Sequence, residues 1–194
     1  MGILKDLIDT AFGVYDRAKE IPKTTKPGDI LWFGAYEWLV LEVRRNRALL
    51  ITKDIIGPEA YHNKLEAVTW EKCSLRGYLN EDFFNSDSFS DEERNKIART
   101  TLPNPINPKF GTDGGAITRD HVFCLNIDEA NQYFKNDNAR KATYNGSGFW
   151  WWLRSPGTIQ ITAASVDIDG ALDLTGIPVH SGSGGVRPAL WIKL

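Results

Sequence analysis

Phe149-Trp-Trp-Trp-Leu-Arg-Ser-Pro-Gly157 and Gly185-Val-Arg-Pro-Ala-Leu-Trp191 decide the reading of this chain. Three adjacent tryptophans carry a large burial energy, and aromatic rings dominate cores and interfaces. In a strand, Trp150 and Trp152 point one way and Trp151 the other. The run therefore predicts either a strand covered on both faces or an exposed indole, Trp151, free to stack on a sugar, a base or a peptide. The second segment reads as a closing strand over Val186–Leu194, with Val186, Leu190 and Ile192 on one face.

Working back from the tail, Ile161–Ile168 and Leu172–Thr175 flank Asp169-Gly170, a hairpin signal. A three-residue loop pairs Val166 with Leu174 and Ile168 with Leu172, which keeps one apolar face and is favoured over a two-residue loop. Phe149–Leu153 reads as one strand. Ahead of it, Ile30–Phe33, Glu37–Val43 and Arg47–Thr52 form an antiparallel meander, with Leu39, Leu41 and Val43 on a shared face. Between the strand regions, Thr69 or Ser74 caps a helix running to about Phe84, with Leu75, Tyr78, Leu79 and Phe83 inward. Ser90-Asp-Glu-Glu93 is a capping box, and Asn126 with Glu129 opens a further helix. Arg99–Asp120 and Asn136–Gly148 read as long polar loops.

Upstream, Leu4, Leu7, Ile8, Ala11, Tyr15 and Ala18 recur at helical spacing. The expected organisation is an amphipathic helix over residues 1–22, a linker over 23–27 and an α+β domain over 28–194. The helix suits docking on the domain, on a partner or on a second copy.

Composition narrows the function classes. The 194 residues carry a net charge of -2, which argues against a general nucleic-acid binder despite Arg44, Arg45 and Arg47. No apolar run is long enough to cross a bilayer as a helix. No basic stretch followed by an apolar one marks a secretion signal, so a cytoplasmic location is expected. Cys73 and Cys124 lack metal-ligand spacing and read as buried reduced thiols. No cofactor or metal is expected.

Several side chains are candidates for chemistry. Arg154 and Arg187 read as ties from loops to the sheet, through backbone carbonyls or acids such as Glu71 or Asp82. The alternative is an anion-binding pair. Asp167 and Asp169, with Asp173 across the hairpin, either hold a hard cation or close turns on their own backbone. Asp113 and Asp120 in the long loop present the same choice. Together with Trp151, Arg154 and His180 these residues form the candidate ligand-binding set.

The order of motifs adds an independent line. Gly-Asp-Ile at Gly28–Ile30 leads to Phe33-Gly34, and Thr69-Trp-Glu precedes Leu75-Arg and Leu79-Asn80. Phe89-Ser90 with Glu93, Trp152–Pro156 and Gly185–Leu190 follow. This order resembles an uncharacterised family of bacterial domains of unknown function. That family is distantly similar to C-type-lectin-like domains, including formylglycine-generating enzymes. The resemblance implies an α+β fold of mainly antiparallel twisted sheets with two to three helices. First and last strands would pair, and long loops would display a ligand on one shared rim. The C-terminal cysteine pair of the enzyme branch and the Trp-Asn-Asp triplet of calcium lectins are both missing. The expected function is thus a non-enzymatic module binding a protein or glycan. The alternative is an enzyme using Asp167, Asp169 or His180, or a purely architectural domain.

Overall fold

Ala189–Lys193 lies antiparallel beside Arg47–Thr52, in the middle of the larger of two main sheets. The computed structural model describes residues 21–22 and 24–194; the helix expected over residues 1–22 lies almost wholly outside the described residues. The described chain begins with β1 (Ile30–Phe33), β2 (Tyr36–Arg44), β3 (Arg47–Thr52) and β4 (Gly57–Pro58). Next come α1 (Ser74–Tyr78), α2 (Asp91–Lys96), β5 (Ile97–Ala98), β6 (Thr100–Leu102), β7 (Thr118–Asp120) and β8 (Val122–Phe123). Then follow α3 (Ile127–Tyr133), α4 (Asp137–Arg140), β9 (Ala142–Tyr144) and β10 (Ser147–Phe149). The remaining strands are β11 (Trp151–Pro156), β12 (Thr162–Val166), β13 (Leu172–Pro178), β14 (Gly185–Val186) and β15 (Ala189–Lys193).

The first sheet has the order β1-β2-β3-β15-β5, with β8 also on β15; the second runs β13-β12-β11-β14-β4. All pairings are antiparallel except β11 with β14. The class is α+β. The tail strand joins β3 rather than β1, which remains at the sheet edge.

The tail does not run as one strand. Gly185-Val186 belongs to the second sheet and Ala189–Lys193 to the first. Pro188, which has no N–H to give a ladder, stands at the crossing. The tryptophan run is also divided: Trp150 separates β10 from β11. Trp151 and Trp152 nevertheless both have 0% exposure, because β11 is covered on both faces.

Three registers differ from expectation for local reasons. A bulge at Leu41 breaks the β2–β3 ladder, so Trp38 and Val40 face the core and Leu41 is buried beside them. At the second hairpin Val166 pairs with Leu172. Asp167 Oδ1 accepts from the Asp169 and Ala171 amides, closing a longer loop than either sequence option. The helix expected to Phe84 instead comprises a 3₁₀ turn at Trp70–Lys72, α1, and a wider π turn at Leu79–Phe83. Thr69 holds the N-cap position of the 3₁₀ turn without a side-chain bond, and α1 is capped by Cys73, whose Sγ accepts from the Arg76 amide at 3.4 Å, rather than by Ser74.

Both capping boxes form. Ser90 and Glu93 exchange bonds at the start of α2, and Asn126 and Glu129 do so at α3. Glu93 reaches further, accepting from the Gly34 amide at 2.8 Å. Gly34 has φ +60°, and a Cβ there would lie 2.2 Å from the Ser88 carbonyl oxygen, so glycine is required at that β1–β2 turn.

Candidate functional site

The sequence candidates do not converge. Trp151 is sealed: its Nε1 donates to the Arg140 carbonyl at 3.1 Å, Phe134 meets it edge-on and the Arg187 guanidinium lies 5.1 Å from its ring centroid. An indole without exposed surface does not stack on a ligand, so the exposed-platform reading of Trp151 is corrected. Asp120 is equally enclosed, accepting from Trp70 Nε1 at 2.9 Å, Thr118 Oγ1 at 2.9 Å and Arg76 Nε at 2.8 Å. Arg154 and Arg187 are structural ties. Arg187 donates to the carbonyls of Thr52, Lys53 and Arg140. Arg154 forks onto Glu129, not Glu71 or Asp82, and also donates to the Cys124 and Pro103 carbonyls.

Asp113, Asp169 and His180 are exposed and Asp167 is half-buried. The aspartates act on their own backbone: Asp113 Oδ1 accepts from the Gly115 amide, and Asp173 Oδ1 from Thr175. Among the described residues no group of three or more His, Cys, Asp or Glu side chains is placed to hold a metal.

The two segments expected to be long loops are partly regular, with the β6–β7 ladder in the first and α4, β9 and the start of β10 in the second, and they stand at opposite ends of β11. Asn107 Nδ2 fastens the first to the carbonyls of Pro156 and Leu174. The second packs at the other end, where Gly170 closely approaches the Asp137 carbonyl and Gly148 faces Ile168. A six-residue strand separates them by about 17 Å, so they do not share one rim.

One polar constellation is absent from the sequence reading. Ser74 Oγ lies 3.0 Å from His62 Nδ1, and His62 Nε2 lies 3.1 Å from Glu66 Oε1. The order matches that of a nucleophile, base and orienting acid. However, His62 Nδ1 also accepts from the Ser74 amide at 3.2 Å, and Ser74 Oγ accepts from the Asn63 amide at 3.1 Å. The imidazole has one in-plane lone pair at Nδ1. These side chains close the 62–74 loop and satisfy the first amide of α1.

Cys73 and Cys124 are buried free thiols. Burial pushes the Cys73 thiol up to about 12, and burial, helped by the nearby Cys73, pushes Cys124 upward too. Because the thiolate is the reactive form, neither cysteine should react with Ellman's reagent in the folded protein at pH 8, and both should react in denaturant. Rapid labelling of the folded chain would contradict this. The stabilising contribution of the raised Cys73 pKa is complete below its ordinary value of 9.0 and is lost as pH climbs toward about 12.

A cleft of about 970 Å³ lies elsewhere, over the end of the first sheet where β2, β3 and β15 meet. Half-buried Trp191 makes its apolar floor, backed by the buried side chains of Leu49, Leu102 and Phe123. Arg44, Arg45, Arg47 and Lys193 form a cationic side, with Thr100, Thr101, Tyr133 and Glu129 on the other walls. Strand register builds it: Arg44 stands opposite Arg47, and Arg47 opposite Lys193. The cleft's carboxylates are already committed. Glu42 accepts from Arg44 and, at 2.7 Å, from the Tyr133 hydroxyl, while Glu129 holds Arg154. Burial and then the Glu42 hydrogen bond hold the Tyr133 hydroxyl protonated well above its ordinary range. Only the Arg44-Arg45…Arg47 cluster signalled this site in the sequence. Lys193 and Trp191 reach it through β15, across a sequence separation that local motifs do not bridge.

No curated protein and no solved structure gives a significant match to this chain. A family model does match, over residues 45–194, so the Gly28–Gly34 motif lies outside the matched span. Because that span covers most of the chain, this protein belongs to the family described as Domain of unknown function (DUF6273).

Proposed function

We propose that this chain is a non-enzymatic binding module of C-type-lectin-like fold that holds an anionic partner, a protein or an acidic glycan, in the cleft over Trp191. One observation carries the reading: cations border an apolar floor, while the carboxylates and the phenol beside them are bound internally. Their hydrogen bonds run within the protein, to Arg44, Tyr133 and Arg154. Guanidinium and ammonium groups, in contrast, offer only donors and suit carboxylates or sulfates. The C-type-lectin-like assignment is supported by the α+β class with mainly antiparallel sheets, while the pairing of the tail strand with β3 rather than β1 departs from it. A cytoplasmic setting belongs to the same reading, since buried unpaired thiols suit a reducing compartment.

The test is a thermal-shift series with polyglutamate, heparin and neutral dextran on the wild-type chain and on Arg47→Gln/Lys193→Gln. The anionic probes should raise the melting midpoint of the wild type alone. Salt should erase the shift, because exposed charges are screened within about 8 Å at physiological ionic strength. Equal shifts with dextran, or an undiminished shift in the double variant, would refute the reading.

A further inference from the structure

We infer that the cleft takes a short acidic peptide segment, with carboxylates seated on Arg47 and Lys193 and a neighbouring apolar side chain resting on Trp191. This rests on the reading of the cleft as an anion-binding site.

The first argument is register. Arg47 faces Arg44 on one side and Lys193 on the other. Side chains directly opposite each other in an antiparallel ladder leave the same face, about 5 Å apart at Cβ, and like charges there are destabilising. Glu42 discharges Arg44. Among the described residues no carboxylate pairs with Arg47 or Lys193; the Lys193 ammonium donates to a neutral carbonyl, that of Asn95, at 3.2 Å. The fold therefore holds two like charges side by side at the mouth of this cleft. A ligand carboxylate relieves that repulsion directly.

Hydrogen-bonding character selects the kind of anion. A neutral sugar hydroxyl both donates and accepts, so it needs acceptors in its site. Glu42 and Glu129, the carboxylates at hand, are occupied by Arg44 with Tyr133 and by Arg154. Asn46, Thr100 and Thr101 can still accept, but the charged groups left on the rim are all donors, matched to groups that only accept.

The floor selects the rest of the ligand. A bare phosphate would leave the exposed part of Trp191 uncovered, whereas a peptide can cover it. In an extended peptide, residues i and i+2 lie about 7 Å apart on one side, and residue i+1 points to the other. Arg47, Lys193 and Trp191 leave one face of the sheet, so a peptide that carries acidic and apolar side chains on one side can meet all three. The chain's net charge of -2 opposes long polyanions and favours a segment with few charges.

The experiment uses the full chain at about 50 mM salt, where screening is weak. Fluorescence anisotropy compares a short labelled peptide carrying glutamate and leucine on one side with glutamine–leucine and glutamate–serine versions. The glutamate–leucine peptide should bind at least about tenfold more tightly than either control, as expected for charge-assisted bonds joined to apolar burial. Arg47→Gln/Lys193→Gln should lose about tenfold in affinity while its melting midpoint holds or rises, because the repulsion is gone. A folding defect would instead lower the midpoint. Equal binding of the glutamine–leucine peptide, or undiminished binding by the double variant, overturns the inference. Preference for a sulfated oligosaccharide or inorganic phosphate overturns the peptide assignment and leaves the anionic-partner reading standing. Failure of every anion to bind removes both.

Discussion

Arg154→Ala is expected to lower the unfolding free energy by about 3–5 kcal/mol, the range for breaking one side of a buried ion pair. The Arg154 guanidinium is 0% exposed, and its Glu129 partner 23%. Beyond that carboxylate, Arg154 satisfies the Cys124 carbonyl at 2.8 Å, the Pro103 carbonyl at 3.2 Å and Asn104 Oδ1 at 3.2 Å. It also stands over the Phe123 ring. Truncation leaves those acceptors without their donor and removes the link between α3 and β11. For a chain of this size the melting midpoint should fall by about 10 °C. Arg154→Lys keeps the charge but loses the planar fork, so its loss should be smaller yet clear. Urea unfolding of the three proteins measures this. An alanine variant within about 1 kcal/mol of wild type would show that the residue is not the tie described.

Trp152→Ala is the second large effect, also about 3–5 kcal/mol. The ring is fully buried, its Nε1 donates to the Glu59 carbonyl at 2.8 Å, and Tyr61 packs against it with centroids 5.7 Å apart. Gly184 lies so close that a Cβ there would stand 1.8 Å from Trp152 Nε1. That density leaves little room for collapse, and the cost of a large-to-small change grows with the cavity that persists. Trp150, half-buried and only edge-on to Trp152, should cost markedly less when truncated. Comparable losses at the two neighbouring positions, measured by denaturant midpoint at constant m-value, would contradict the burial assigned to them.

Features encoded within a few residues were legible in the sequence. The Ser90–Glu93 and Asn126–Glu129 boxes are reciprocal bonds within one helical turn, and both formed. The opening meander was readable from short β-branched and aromatic runs, and the structural use of Arg154 and Arg187 from their place beside turns. Errors arose where a single residue redirected the ladder. Leu41 inserts a bulge, Asp167 draws two amides into its turn, and Pro188 moves the tail between sheets. The Trp151 expectation failed because alternation distinguishes two faces but does not say whether both are covered. The cleft was least legible of all. Its cationic row depends on Lys193 standing opposite Arg47, a pairing that no local spacing announces.

The mid-sheet position of β15 has a consequence for biosynthesis. While the ribosome is still translating the second half of the chain, β3 has a partner only on its β2 side, and β5 and β8 lack their common neighbour. The apolar run Ala48–Ile51 then presents an open strand edge, the kind that recruits foreign strands. Closure waits for Lys193 to clear the exit tunnel, and such distant pairings form slowly. Until β15 is in place, the first sheet therefore stays open at its centre.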